Sequence, residues 1–320
     1  MISSRIPKLF AILLTTVTAT SIHAADDAAG GSASMGFGQA TGGAGGATVT
    51  VTDADQLSKA LRSPNPLIIQ VEGSFDSLYP RVFSNKTIKG IGSKPTLIGG
   101  LYLDQRATNV IIQDLTLTAT NTSEGKSGGD GITLAGATNV WVDHCTFVDC
   151  ADGSLDIKKA ADNVTVSWCK FHYTHDHGHN FVNLLGFSES DGNADRLFHV
   201  TFHHNWWGAF CKERMPSNRF GIVHLFNNYY SCAGNNYCAR GRLFSQTLIE
   251  NNCYDGVKLP WEYLVSTGTA PLIKASGNTF IDTKEPAGGK DEVFKPPYSH
   301  TLDEVAGVKA SVVAGAGSRF

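Results

Sequence analysis

The sequence lacks an excess of positive charge: 26 Lys and Arg stand against 29 Asp and Glu. That balance excludes the basic footprint expected of a nucleic-acid binder. Beyond the first two dozen residues no apolar run is long enough to cross a bilayer, which needs about 20 residues, so no membrane partner is expected. No CxxC pair and no His/Cys cluster has zinc-ligand spacing, so the spacing offers no transition-metal site. Helix-style periodicity is scarce while glycine is abundant at 34 residues. The balance favours a β-rich, turn-rich chain.

The N-terminus carries Arg5 and Lys8, then the apolar stretch Leu9 to Leu14, then small residues around Ser21 and Ala24. This pattern is that of a secretory signal peptide spanning 1–24, cut after Ala24, which predicts an extracellular or periplasmic protein. Removing it leaves 24 basic residues against 29 acidic ones. All seven cysteines remain, as an oxidising compartment allows, and an odd count leaves at least one unpaired. Cys232 and Cys238 close a short loop and are the first pair to expect bonded.

Residues 25–48 form a Gly/Ala-rich arm, and Val49 to Val51 alternates into a strand. Thr52 to Leu61 has a capping residue, an early acid and apolar residues at helical spacing, predicting one short helix over an end of the fold. From Asn109 a nine-residue pattern then returns: NVIIQDLTL, NVWVDHCTF, NVTVSWCKF, HVTFHHNWW, IVHLFNNYY, QTLIENNCY and LIKASGNTF, starting 30, 24, 36, 23, 24 and 26 residues apart. A period of this length names a solenoid. Each copy reads as a strand, a bend and a second short strand, and such a rung buries its apolar face only by stacking on its neighbours. The expected fold is all-β, a right-handed parallel β-helix over 49–285 with long loops on one side, followed by a tail at 286–320 packed along it. A monomer is expected.

Stacking places Asn205, Asn228, Asn252 and Asn278 in one column, where their amides can bond along the axis. Cys145 and Cys169 occupy the same column in the two preceding rungs, as buried thiols or as a disulfide. The two longest intervals carry extra loop, 121–129 and 172–195, and loops on a rigid stack are where sites are built.

Asp152 and Asp156 stand four residues apart across a bend, and Asp130 precedes Asp152 by 22 residues, about one rung. Three converging carboxylates without histidine or cysteine would favour calcium; the alternative is turn aspartates capping loop amides. Further on lie Arg214 and Arg219, then Arg240 and Arg242. These could clamp carboxylates of an acidic polymer, or form a solvated basic face.

The strings NVWVDHCTF, DGSLDIKKAADNVTVSW, VTFHHNWW, RMPSNRFGIVHLFNNYY and LIENN together resemble the pectate lyase family, polysaccharide lyase family 1, from about Gly36 to Phe280. The resemblance implies a lyase that cleaves polygalacturonate by calcium-assisted β-elimination. It implies Asp130, Asp152 and Asp156 as calcium ligands, Arg214 as the base that takes a proton from C5, and Arg219 and Arg242 as substrate-binding residues. Asp143 and His144 match a structural pair of the family, and His203 and His204 read as packing residues. Because guanidinium is normally protonated, the implied base needs a cationic pocket and alkaline pH. The chain departs from the family where a lysine usually stands five residues before Gly186: Phe181 is there, with His177 and His179 nearby to take its part. Rival readings are a pectin lyase, which would not need the acids, a glycoside hydrolase using Asp152 and Asp156, and a catalytically silent β-helix.

Overall fold

The computed structural model describes residues 35–120, 129–188, 198–266 and 268–320, all within one compact unit. The signal-peptide region, the start of the arm, most of the loop after Asn121 and the end of the loop after His172 lie outside the described residues. Among those described, no helix is long and apolar enough to cross a membrane.

The chain coils as a parallel β-helix, every strand pairing with its equivalents in neighbouring turns. Seven short strands make one face: Leu101–Asp104, Ile132–Ala135, Leu155–Lys158, Leu184–Leu185, Ser217–Asn218, Ala239–Gly241 and Trp261–Tyr263. A 17-stranded sheet folds over the other sides: Ala47–Val51, Leu67–Asp76 and Lys86–Ile98 begin it, and the seven nine-residue repeats supply the rest, each giving a strand, a bend and a short second strand. At the bend one residue takes a left-handed conformation, as at Asp114, His144, Trp168, His204, Asn227 and Asn251, and there the chain turns.

Parallel pairing at about 4.8 Å forces equivalent residues into columns. Val110, Val140, Val164, Val200 and Val223 align in register and are fully buried. After the bend comes an aromatic stack, Phe147, Phe171, Trp207, Tyr230 and Tyr254, with successive ring centroids 4.9, 5.4, 4.6 and 4.7 Å apart. Each such buried side chain contributes roughly 1.5–3 kcal/mol. The short helix is Ala54–Leu61, capped by the Asp53 carboxylate on the Gln56 amide, and it buries Leu57, Ala60 and Leu61.

The asparagine column is a continuous ladder. The side-chain amides of Asn205, Asn228 and Asn252 each donate to the next Asn Oδ1 at 3.1, 2.9 and 3.1 Å, and to the buried carbonyls of Val166, Phe202 and Leu225. In the two preceding rungs the thiols of Cys169 and Cys145 reach the equivalent carbonyls of Val142 and Ile112 at 3.7 Å. A thiol is a weak donor, and it fills the ladder position where no amide is present. All seven cysteines are free. The pairing expected of Cys232 with Cys238 is therefore corrected: their sulfurs are 4.0 Å apart, and Asn235 and Met215 contact them instead. The loop between them is closed by hydrogen bonds, so closure does not require a covalent link.

The described part of the Gly-rich arm and the C-terminal segment pack on the outer face of the large sheet. In the Gly-rich arm, the amides of Phe37, Gly38 and Gly43 donate to the hydroxyls of Thr201, Thr165 and Thr87. The approach is close enough that a Cβ at Gly43 would lie 1.9 Å from the Leu67 carbonyl oxygen. The C-terminal segment crosses the later rungs, with Asp303 on His204 and Asn227 donating to the Thr301 carbonyl. A second helix follows, Val305–Gly315, burying Val308 and Val312 against Tyr229 and Cys253. Arg319 then meets the buried Asp114 with two bonds of 2.6 Å.

Replacing Asn228 by Ala removes the acceptor of the buried Asn205 amide. Stranding such a group costs about 1–3 kcal/mol, and the lost ladder bonds add to it. Urea unfolding should show a lower midpoint; an unchanged midpoint would remove the ladder from the account of stability.

Candidate functional site

The acids and arginines singled out in the sequence lie on or beside the seven-stranded face. In Leu155–Lys158 the apolar Leu155 and Ile157 point to the core, so Asp156 and Lys158 point outward. Register places Asp156 beside Thr133 of the preceding turn. Asp130 enters that preceding strand, and Asp152 stands in the bend before Asp156.

Asp130 and Asp156 are buried. Asp130 accepts from the Thr133 hydroxyl at 2.5 Å and from the Gly153 amide at 3.0 Å, while Asp156 accepts from the Leu184 amide at 3.2 Å. One ammonium serves both: Lys158 Nζ lies 3.6 Å from Asp130 and 3.8 Å from Asp156. It does not suffice. Burial, with the neighbouring carboxylates, pushes Asp130 up and Asp156 well above the ordinary carboxylate range, against the pull of Lys158. Gly153 leaves the space between them open, since a Cβ there would sit 2.4 Å from Asp156 Oδ1 and 3.1 Å from Asp130 Oδ1.

Asp152 is half-exposed and its Oδ1 lies 3.1 Å from His179 Nε2. The three aspartates thus face one another without closing into a tight ligand set, because Asp152 is drawn to the histidine. An oxygen-lined, under-neutralised pair beside a third movable carboxylate suits a hard divalent cation, which would draw Asp152 inward.

The turn that supplies His179 also supplies Phe181. The His179 and Phe181 rings lie 4.1 Å apart, and the Arg214 guanidinium carbon is 4.6 Å from the Phe181 ring centre. Arg214 has a left-handed backbone, φ 62°, and its carbonyl accepts from the Asn183 amide at 2.6 Å. The acidic and basic clusters are therefore separated by the single turn that holds Phe181. Where the family resemblance expected a lysine, an aromatic ring supports the arginine.

Arg219 and Arg242 directly follow the paired Asn218 and Gly241, which makes them register neighbours on adjacent turns. Arg219 is buried and donates to the Gly186 carbonyl at 2.5 Å. Arg240, by contrast, pairs with Glu262 and lies over Tyr237. Asp143, His144, His203 and His204 belong to the large sheet. Asp143 accepts from His144 and Ser167, and His204 stacks on Trp168 at 4.3 Å.

Sequence reading missed Lys158, Thr133 and Tyr79. Lys158 follows Asp156 by two residues in a strand, so strict alternation puts it on the same face. Thr133 needed the register. Tyr79, whose hydroxyl meets Thr133 at 2.6 Å and whose burial pushes its pKa up, left no signal.

Fold and site together define a parallel β-helix protein whose seven-stranded face carries buried acids and, two turns on, arginines suited to an anionic ligand. A pectate lyase family model matches residues 2–266. The pectate trisaccharide-lyase of Bacillus licheniformis is 36% identical over 306 residues, covering 88% of this chain and 83% of that one. Its Thermotoga maritima counterpart is 32% identical over 313 residues, covering 87% and 83%. The crystal structure of a pectate lyase from Bacillus sp. N165 in complex with trigalacturonate superposes with a TM-score of 0.72 at 26% identity, over 88% of this chain and 98% of that one. This chain belongs to the pectate lyase family.

Asp130 and Asp156 have pKa values higher in the fold than in the unfolded chain. As pH rises the unfolded chain loses these protons first, so the cation-free protein loses stability as pH climbs through the folded values. Replacing Asp156 by Asn should raise the melting temperature in chelator at mildly alkaline pH and abolish the further rise on adding a divalent cation. A lower melting temperature in chelator would refute the electrostatic tension assigned to this pair.

Proposed function

We propose that the chain cleaves α-1,4-linked polygalacturonate by calcium-assisted β-elimination, releasing 4,5-unsaturated oligogalacturonates. The observation that carries this reading is the placement of two under-neutralised aspartates and a row of arginines on one face, with a single turn between them. Successive turns lie about 4.8 Å apart, so the span from Asp156 to Arg219, two turns on, is on the order of 10 Å. A polyanion lying along the face can therefore meet both clusters.

Asp130, Asp152 and Asp156 would hold the calcium, with Asp152 leaving His179 to complete the set. Calcium held there would supply Lewis-acid stabilisation of the charge that develops as C5 is deprotonated. Arg219 and Arg242 bind sugar carboxylates; the Gly186 carbonyl fixes the Arg219 fork before substrate arrives. Arg214 takes the C5 proton, the C4–O4 bond breaks, a C4=C5 double bond forms, and the leaving oxygen is protonated from solvent. Phe181 holds the Arg214 fork by its face and adds no charge of its own. Retention of three acids on the face favours the acidic polymer over its methyl ester, which carries no charge for a metal to bridge.

The assay is absorbance near about 235 nm, where the conjugated product absorbs, on polygalacturonate at alkaline pH. Absorbance should rise with calcium and stay flat in chelator. Arg214→Ala should lower kcat by about 10²–10⁴-fold, the usual loss on removing a proton-transfer group. Reducing ends formed without absorbance would replace the lyase with a hydrolase.

The leader-like residues 1–24 support export of the mature chain to the medium or periplasm. N-terminal sequencing of the exported protein should begin at Ala25; a start at Met1 would overturn export by cleavage.

A further inference from the structure

On the outer face of the large sheet, away from the acid and arginine face, three potential metal ligands meet. His224 lies in the strand Ile222–Phe226, Glu250 ends the strand Gln246–Glu250 one turn later, and His300 comes from the C-terminal segment that crosses both. Their ligand atoms all lie within 4.8 Å of one another. The Nε2 atoms of both histidines point at the same oxygen: Glu250 Oε2 is 3.0 Å from His224 and 3.4 Å from His300.

We propose that His224, Glu250 and His300 form a second metal site, for a zinc-like divalent cation, which pins the C-terminal segment to the β-helix. Ligands at about 2.0–2.1 Å around a tetrahedral ion lie on the order of 3.3 Å apart. Two edges of the triangle already have that length. Two imidazoles and one carboxylate are the donor set of an open zinc site, whereas the all-oxygen acids of the other face suit a harder ion.

The surroundings select the ligating form of His224. Its Nδ1 lies 2.8 Å from the Tyr298 hydroxyl, which in turn lies 2.7 Å from Thr201 Oγ1. Without a cation the 3.0 Å contact is an Nε2–H donating to Glu250; when a cation takes the place of that proton, Nδ1–H can donate to Tyr298 and Tyr298 to Thr201, leaving the Nε2 lone pair for the ion. This is the outer hydrogen bond that orients metal-bound histidine elsewhere. His224 is enclosed, but His300 and Glu250 each keep about a fifth of their side-chain surface exposed, so an ion can enter and a water can complete the shell.

The spacing escaped the sequence because 26 residues separate His224 from Glu250 and 50 separate Glu250 from His300. No short motif links them. The stack brings the first two together and the returning tail adds the third.

The test is calorimetric titration of chelator-treated protein with zinc chloride, alongside thermal melting. The background should carry Asp152→Asn and His179→Ala, which removes the carboxylate–histidine pair of the acid face. One zinc per chain should remain in that background, with a higher melting temperature on zinc addition. His300→Ala should then weaken binding by more than about 100-fold and cancel the rise in melting temperature. Glu250→Gln, which keeps the shape and hydrogen-bonding capacity of the side chain, should weaken binding in the same direction and guards against simple misfolding of the tail. Zinc binding that disappears in the background, or that survives both His300→Ala and Glu250→Gln, would overturn the proposal.

Discussion

Parallel hydrogen bonding between successive turns is the constraint on which the rest of this molecule depends. A turn spaced about 4.8 Å from the next puts every residue beneath its equivalent. A valine meets a valine, a ring meets a ring, and an asparagine amide meets the next asparagine oxygen. The same rule builds the functional face. Asp156 stands beside Thr133 because their strands are paired, and Arg219 neighbours Arg242 because Asn218 is paired with Gly241. No flexible element is needed to bring them together.

Against this rigid frame the acids are held in tension. Asp130 and Asp156 are buried with one lysine between them, and burial makes their ionisation unfavourable. The fold gives up stability there and would recover it on taking up a cation. Asp152, half-exposed and bonded to His179, is the adjustable member. His179 touches Phe181, and Phe181 supports Arg214, so the turn between the clusters contacts both.

The outer face works differently. Here the described arm and the C-terminal segment lie across the stacked turns, exchanging backbone and side-chain hydrogen bonds with threonines, histidines and asparagines that the strands point outward. The Gly-rich arm fits because side chains would collide with the strand backbone. On the C-terminal side, histidines, Tyr298 and Glu250 concentrate where the tail crosses the stack.

The period, the strand–bend–strand unit, the asparagine ladder and the short helix were legible in the chain, because each depends on spacing within a few residues or on a repeat that stacking must align. The acids and arginines were legible as clusters, and a family resemblance gave them roles. Spacing did not show that Lys158 bridges two aspartates, that His179 holds a third, or that Phe181 lies under Arg214. Nor did it show that Cys232 and Cys238 stay free or that His300 joins His224 and Glu250. Residue order determines what repeats, since a repeat is written in one dimension. Contacts between a repeat and a non-repeating loop or tail have no period, so only the tertiary structure decides them.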